Sequence, residues 1–139
     1  MKKLVFLIAL TFFGSCEKDL QDSEALGENA GIVGTWVEEG FDDDVTLLVR
    51  ESEFDDSKYG FTIKDDGTFI ERKNAGWCGT PPISYDNFGG NWIALSDSLL
   101  EITVDYWGGT MTYQMRIVFL DQEHLGIRYL YGDNWSESR

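Results

Sequence analysis

From residue 32 onward, apolar and polar side chains alternate with a period of two, and no window carries the spacing of an amphipathic helix. "IVGTWVEE" (32–39) and "VTLLVR" (45–50) read as the first two strands, joined by the turn-like "GFDDD". A polar stretch, "ESEFDDSK", follows. "YGFTIK" (59–64) and "TFIERK" (68–73) then flank Asp65-Asp66-Gly67, where Asp-Gly supplies the positive φ angles of a tight hairpin. "NWIALSD" (91–97) and "SLLEITVDYW" (98–107) meet at Asp97-Ser98, and Gly108-Gly109 closes a hairpin into "TMTYQMRIVFL" (110–120). "HLGIRYLY" (124–131) is the eighth strand, with Leu125, Ile127, Tyr129 and Tyr131 on one side.

Strands joined mostly by short hairpins, each with one apolar face, must bury that face by closing on themselves or by stacking. The expected fold is all-β: an eight-stranded antiparallel up-and-down barrel, with a two-sheet β-sandwich as the alternative. Its domain spans about residues 31–133, followed by a C-terminal tail (134–139) in which Trp135 is the one aromatic residue.

The longest internal connection holds "GWCGTPPISY" (76–85), with both prolines of the chain, Pro81 and Pro82. Two adjacent prolines fix φ and remove two backbone donors, so the segment cannot continue a central strand. It suits a cap over one barrel end, with Trp77 and Cys78 tucked inward as a plug, or a gate over a ligand.

The pattern changes at the N-terminus. "MKKLVFLIALTFFGSCEKDL" sets Lys2 and Lys3 before an apolar core, and Gly14-Ser15 before Cys16, which is the order of a bacterial export signal. The apolar part is about half of the roughly 20 residues that a spanning helix needs. Phe13-Gly14-Ser15-Cys16 resembles a lipobox, at which a leader (1–15) is removed and Cys16 becomes acylated; Phe13 is bulkier than the leucine usual there. The polar "EKDLQDSEALGENAG" that follows cannot bury enough apolar surface to fold and is expected to tether the domain over residues 16–30. Its Glu17-Lys18-Asp19 also resembles the charged signals that send Bacteroidota lipoproteins to the cell surface. The expected location is the cell envelope, anchored to the outer membrane through lipid.

An acylated Cys16 cannot pair with Cys78, the only other cysteine. Cys78 is then an odd thiol, expected to be buried and inert as a small apolar residue, with pairing between molecules or reactivity as the alternatives.

Charge narrows the partners. The chain has 11 basic and 25 acidic residues; loss of Lys2 and Lys3 leaves 9 against 25, a net −16. That balance argues against nucleic acid, whose phosphates need Lys and Arg, and against adsorption on anionic lipid without a covalent anchor. A monomer is expected.

Gly34-Thr35-Trp36 looks like the Gly-x-Trp signature on the first strand of lipocalins. With "FTIKDDGTF" (61–69), "GGNWIALSDSLLEIT" (89–103) and a Tyr-rich final pair, the order is similar to lipocalin-like domain families of Bacteroidota lipoproteins. The resemblance covers nearly all of the mature chain. It implies a small barrel in which Trp36 packs across the base and Gly34 permits close approach of the backbone. It implies no particular activity, and the helix that usually follows the strands of ligand-carrying lipocalins is missing.

Candidate chemistry is sparse. His124, the only histidine, sits where a solvated turn is expected, and one Cys with one His falls short of a zinc site. Setting Asp42 as the first ligand of a calcium loop puts Leu47 where glycine is needed, so the acids from Asp42 to Asp44, with Glu51, Glu53, Asp55 and Asp56, read as loop acids. Gly89-Gly90 and Gly108-Gly109 precede no helix, so no nucleotide cofactor is implied. No catalytic residue, metal or cofactor is expected. What remains is the binding of a small apolar ligand or a glycan at a barrel mouth. Its expected lining is Trp77, Tyr85, Trp92, Tyr106, Trp107 and Tyr113, with Cys78, Pro81 and Pro82 in the adjoining loop. The alternative is an accessory envelope protein whose filled barrel docks a protein partner.

Overall fold

A computed structural model of the chain describes residues 30–132. The expected leader, the lipidation residue Cys16, all but the last residue of the expected tether, and the 134–139 tail with Trp135 lie outside the described residues.

A short 3₁₀ turn (Ala30–Ile32) leads into eight strands: β1 (Gly34–Asp42), β2 (Val45–Glu51), β3 (Gly60–Ile63), β4 (Thr68–Asn74), β5 (Tyr85–Ser96), β6 (Leu99–Tyr106), β7 (Gly109–Leu120) and β8 (His124–Leu130). All pairs are antiparallel, and the sheet closes in the order β1-β2-β8-β7-β6-β5-β4-β3. The expected antiparallel barrel is what forms, and the sandwich is not. Closure gives every strand a hydrogen-bonded neighbour on each side and leaves no edge strand.

The order departs from a pure up-and-down meander at one place. β1 lies between β2 and β3, so these two run the same way on either side of it. Their connection, 52–59, therefore crosses the outer face of the barrel instead of turning as a hairpin. Phe54 lies over outward-facing Val37 and Val49 there, which explains why Val37 is buried although it points away from the core. Arg72, outward on β4, holds the crossover through the Asp55 and Asp56 carbonyls. Gly60, where the crossover re-enters the sheet, has no room for a side chain: a Cβ would sit 2.6 Å from the Trp36 carbonyl oxygen.

Two elements are longer than the pattern predicts. β1 runs through Gly40 and Phe41 after a bulge between Glu38 and Gly40, leaving the turn to Asp43 (φ 53°) and Asp44. β5 begins at Tyr85, six residues before Asn91, because Asn74 pairs with Tyr85 and the ladder continues along β4. Gly90, on the inner face, lets β6 pass close by: its Cβ would lie 2.2 Å from the Thr103 carbonyl oxygen.

The inner face alternates as the sequence pattern demands, and most of the interior is filled. Trp36, Phe61, Ile63, Phe69, Leu100 and Ile102 have no exposed surface. One end is sealed by the first turn: Trp36 donates its indole N–H to the Ile32 carbonyl at 2.7 Å, and the Arg50 guanidinium stacks 4.2 Å above the indole. Arg50 also donates to the carbonyls of Gly31 (2.5 Å), Val33 (2.8 Å) and Gln122 (2.7 Å). Gly34 makes room for it: at φ 144° its Cβ would fall 2.3 Å from Arg50 Nη1. The close approach at Gly34 is thus to an arginine side chain and not to backbone.

Candidate functional site

At the opposite end the filling stops. A cavity of about 300 Å³ opens there, and its floor is made by the last inward residues of strands that end or begin at this mouth. Alternation along β4 puts Glu71 and Lys73 on the same inward face as fully buried Phe69. The same periodicity aims Tyr59, Tyr113 and Tyr129 inward with Phe61, Met115 and Ile127.

Glu71 is 4% exposed and organises the floor. Its Oε1 accepts from the phenols of Tyr59 (2.8 Å) and Tyr113 (3.0 Å), and its Oε2 accepts from the Lys73 ammonium at 2.6 Å. Tyr59 and Tyr129 hydroxyls lie 2.5 Å apart. Lys73 also sits 5.3 Å from the centre of the Phe88 ring. A buried carboxylate is tolerated only when paired and hydrogen-bonded, and here both oxygens are.

The tyrosine rings form a continuous wall. Tyr113 and Tyr129 meet edge to face at 5.6 Å, and Tyr131 stacks on Tyr129 at 6.0 Å and leans on Tyr113 at 5.5 Å. Burial, with Glu71 beside them, pushes the Tyr113 and Tyr59 phenols well above the ordinary tyrosine value. Burial does the same at Tyr129, against the opposing hydrogen bond to Tyr59. Tyr131, more exposed, is pushed up to about 12 by burial and by Glu71. All four are neutral phenols at physiological pH. Half-buried Glu38 lies on the outer part of the cavity; burial raises its carboxyl, and Lys58 pulls it back down. Phe41 and Met111 complete the rim.

Of the residues expected from the sequence to line a mouth, Tyr113 alone lines this cavity. Trp92 belongs to the core of the sealed end, where its indole donates to the Lys64 carbonyl at 2.8 Å. Tyr106 packs against Trp107 at the β6–β7 turn, and Trp107 faces solvent. Tyr85 starts β5 and is half-buried. The expected plug is corrected outright. Trp77 is 80% exposed, and Cys78, Pro81 and Pro82 are exposed with it. The reason is local: Asn74 turns the chain outward by donating to the Cys78 carbonyl and accepting from Gly76 N–H. With Tyr85 already in the ladder, the loop is confined to 75–84, and its residues 77–84 are exposed. Hydrogen bonds from the Thr80 backbone and hydroxyl lower the Cys78 thiol below its usual value. His124 is exposed beside Asp121 at the sealed end, in the turn where a solvated histidine was expected. In the acidic run, Asp44 is held by Arg128 through two contacts, 2.5 and 2.8 Å.

Glu71, Lys73, Tyr59 and Glu38 escape a reading that ranks residues by aromatic character and loop position. One signal for Glu71 exists in the sequence: an acid two residues after Phe69 on an alternating strand shares its face.

A comparison of the chain with family models, with curated proteins and with solved structures found no match.

Proposed function

We propose that this protein is a lipid-anchored envelope protein, lipocalin-like in kind, that binds a small molecule at the tyrosine-lined mouth of its barrel without transforming it. The observation that carries this reading is the cavity itself. At about 300 Å³ it lies at the lower end of small-molecule sites, which typically combine apolar walls with a few placed polar groups. The floor groups are engaged with one another, so none is a free acid, base or nucleophile poised for chemistry. The lipobox-like start supports the anchor. The described chain begins at the sealed end, opposite the mouth.

Native mass spectrometry of the protein extracted from membranes tests both parts. A mature chain starting at acylated Cys16, carrying a non-covalent molecule lost on substituting Tyr113 and Tyr129 by alanine, is the expected result. A mass retaining residues 1–15 without lipid would remove the anchor, and a protein with no ligand and no response to added small molecules would remove the carrier.

A second reading, an accessory protein that docks a partner, has its own support. Phe41, near the end of β1, and Trp77 and Trp107, in connections at the same end of the barrel, are more than half exposed. Alanine at Trp77 and Trp107 would abolish partner capture in cells while leaving small-molecule binding intact.

A further inference from the structure

The direction of the phenol protons restricts what the mouth can hold. Each tyrosine has one proton to give, and an ionised carboxylate only accepts. Tyr59 and Tyr113 give theirs to Glu71 Oε1. Tyr59 is then spent, so across the 2.5 Å contact Tyr129 is the donor. Two phenol protons run to the carboxylate, and the third runs to the Tyr59 oxygen. Tyr113 and Tyr129 are left with oxygen lone pairs and no proton for a ligand.

The charges point the same way. The Lys73 ammonium gives one N–H to Glu71 and balances its charge, so that pair is neutral as a unit. The remaining charged group lining the cavity is Glu38. The Tyr113, Tyr129 and Tyr131 rings add electron-rich faces, which attract a cation within about 6 Å of a ring centre. The net charge of −14 raises the local concentration of small cations further. The donors left for a ligand carboxylate are the spare Lys73 N–H groups and the Thr46 and Tyr131 hydroxyls, and Glu38, lining the same cavity, repels it.

We infer that the mouth cavity selects a small organic ammonium compound, its N–H donors or cationic head placed among Tyr113, Tyr129 and Glu38 and its apolar body against the tyrosine rings. This rests on the reading of the mouth as a binding site. The cavity's volume equals that of about ten waters at about 30 Å³ each, which limits the ligand to a compact molecule.

Three probes with one body and different heads test it: phenethylammonium, 2-phenylethanol and phenylacetate, titrated by calorimetry into the purified full chain at neutral pH and low salt. Phenethylammonium is expected to bind at least about tenfold more tightly than 2-phenylethanol, with phenylacetate weakest, and tetramethylammonium to compete. Glu38→Gln should cut phenethylammonium affinity by about tenfold and leave 2-phenylethanol within about twofold. Burial already disfavours the Glu38 charge, so this variant should fold, and its thermal melt checks that it does. Equal binding of all three probes, or tightest binding of phenylacetate, would overturn the inference while the binding site stands. No binding by any probe together with a co-purified ligand lacking an amine would overturn it in the same way. No binding and no co-purified ligand would remove both.

Discussion

Glu71→Gln probes the centre of the mouth with the least change in shape. Glutamine keeps one carbonyl oxygen, which can go on accepting from Tyr59 and Tyr113 at their present 2.8 and 3.0 Å. The other oxygen becomes an NH₂ group facing the Lys73 ammonium at 2.6 Å, donor against donor. Breaking a buried ion pair from one side costs about 3–5 kcal/mol. Lys73 is 18% exposed and can swing toward water along the Phe88 ring, which puts the expected loss at the lower limit, about 3 kcal/mol. Lys73→Met leaves Glu71 with two phenol donors and should lose about 2 kcal/mol. The double variant has no orphaned cation and should also lose about 2 kcal/mol, a coupling of about 3 kcal/mol. Urea unfolding followed by tryptophan fluorescence measures all three, with an unchanged m-value showing that stability alone has moved. A loss below about 1 kcal/mol for Glu71→Gln, or strictly additive losses, would refute the closed network described here.

Other consequences follow at the sealed end, in the exposed loop and in acid. Arg50→Ala removes three donors to carbonyls and the stack on Trp36 and should lose about 2–3 kcal/mol; Arg50→Lys should recover less than half, since an ammonium cannot reproduce the guanidinium fork. Gly34→Ala should cost about 2 kcal/mol or more from its φ of 144° and its collision with Arg50, whereas Gly40→Ala, with nothing within 4 Å, should be close to neutral by the same melts. Cys78 should react fully with a thiol reagent in the native state, and Thr80→Val should slow that reaction below the ordinary thiol pKa; protection of the native thiol would contradict its exposure. Asp44, Asp55, Asp66 and Asp121 all have folded values lowered by hydrogen bonds, chiefly from Arg128, Ser57, Thr68 and the Glu123 and His124 amides. Their stabilisation is present above the unfolded value of about 4 and is lost as pH falls through the lower folded values, so acid titration of the melting temperature should steepen there and flatten in Asp121→Asn.

Much of this barrel is written in local patterns. Alternation with a period of two decides which side chains share a face, and Asp66-Gly67 and Gly108-Gly109 close hairpins through geometry that glycine supplies. An eight-strand set with one apolar face each then has to close or stack, and the ring of pairings decides for closure. The place of Trp36 at the base was expected from the resemblance carried by Gly34-Thr35-Trp36 and not from alternation. Other features depend on contacts between residues far apart in sequence, which no local pattern carries. The exchange of neighbours around β1 rests on Phe54 covering Val37 and on Arg72 holding the crossover, and neither pairing leaves a mark in the 52–59 segment itself. The β4–β5 ladder extends to Tyr85, which confines the proline loop to 75–84, where Trp77 and Cys78 face water. Glu71 is identical in sequence to any acid on an alternating strand. Only when Tyr59, Tyr113 and Lys73, 12 and 42 positions away in the case of the tyrosines, converge on it does burial become affordable and the mouth acquire its chemistry. Periodicity determined the faces; closure of the ring determined which groups meet inside it.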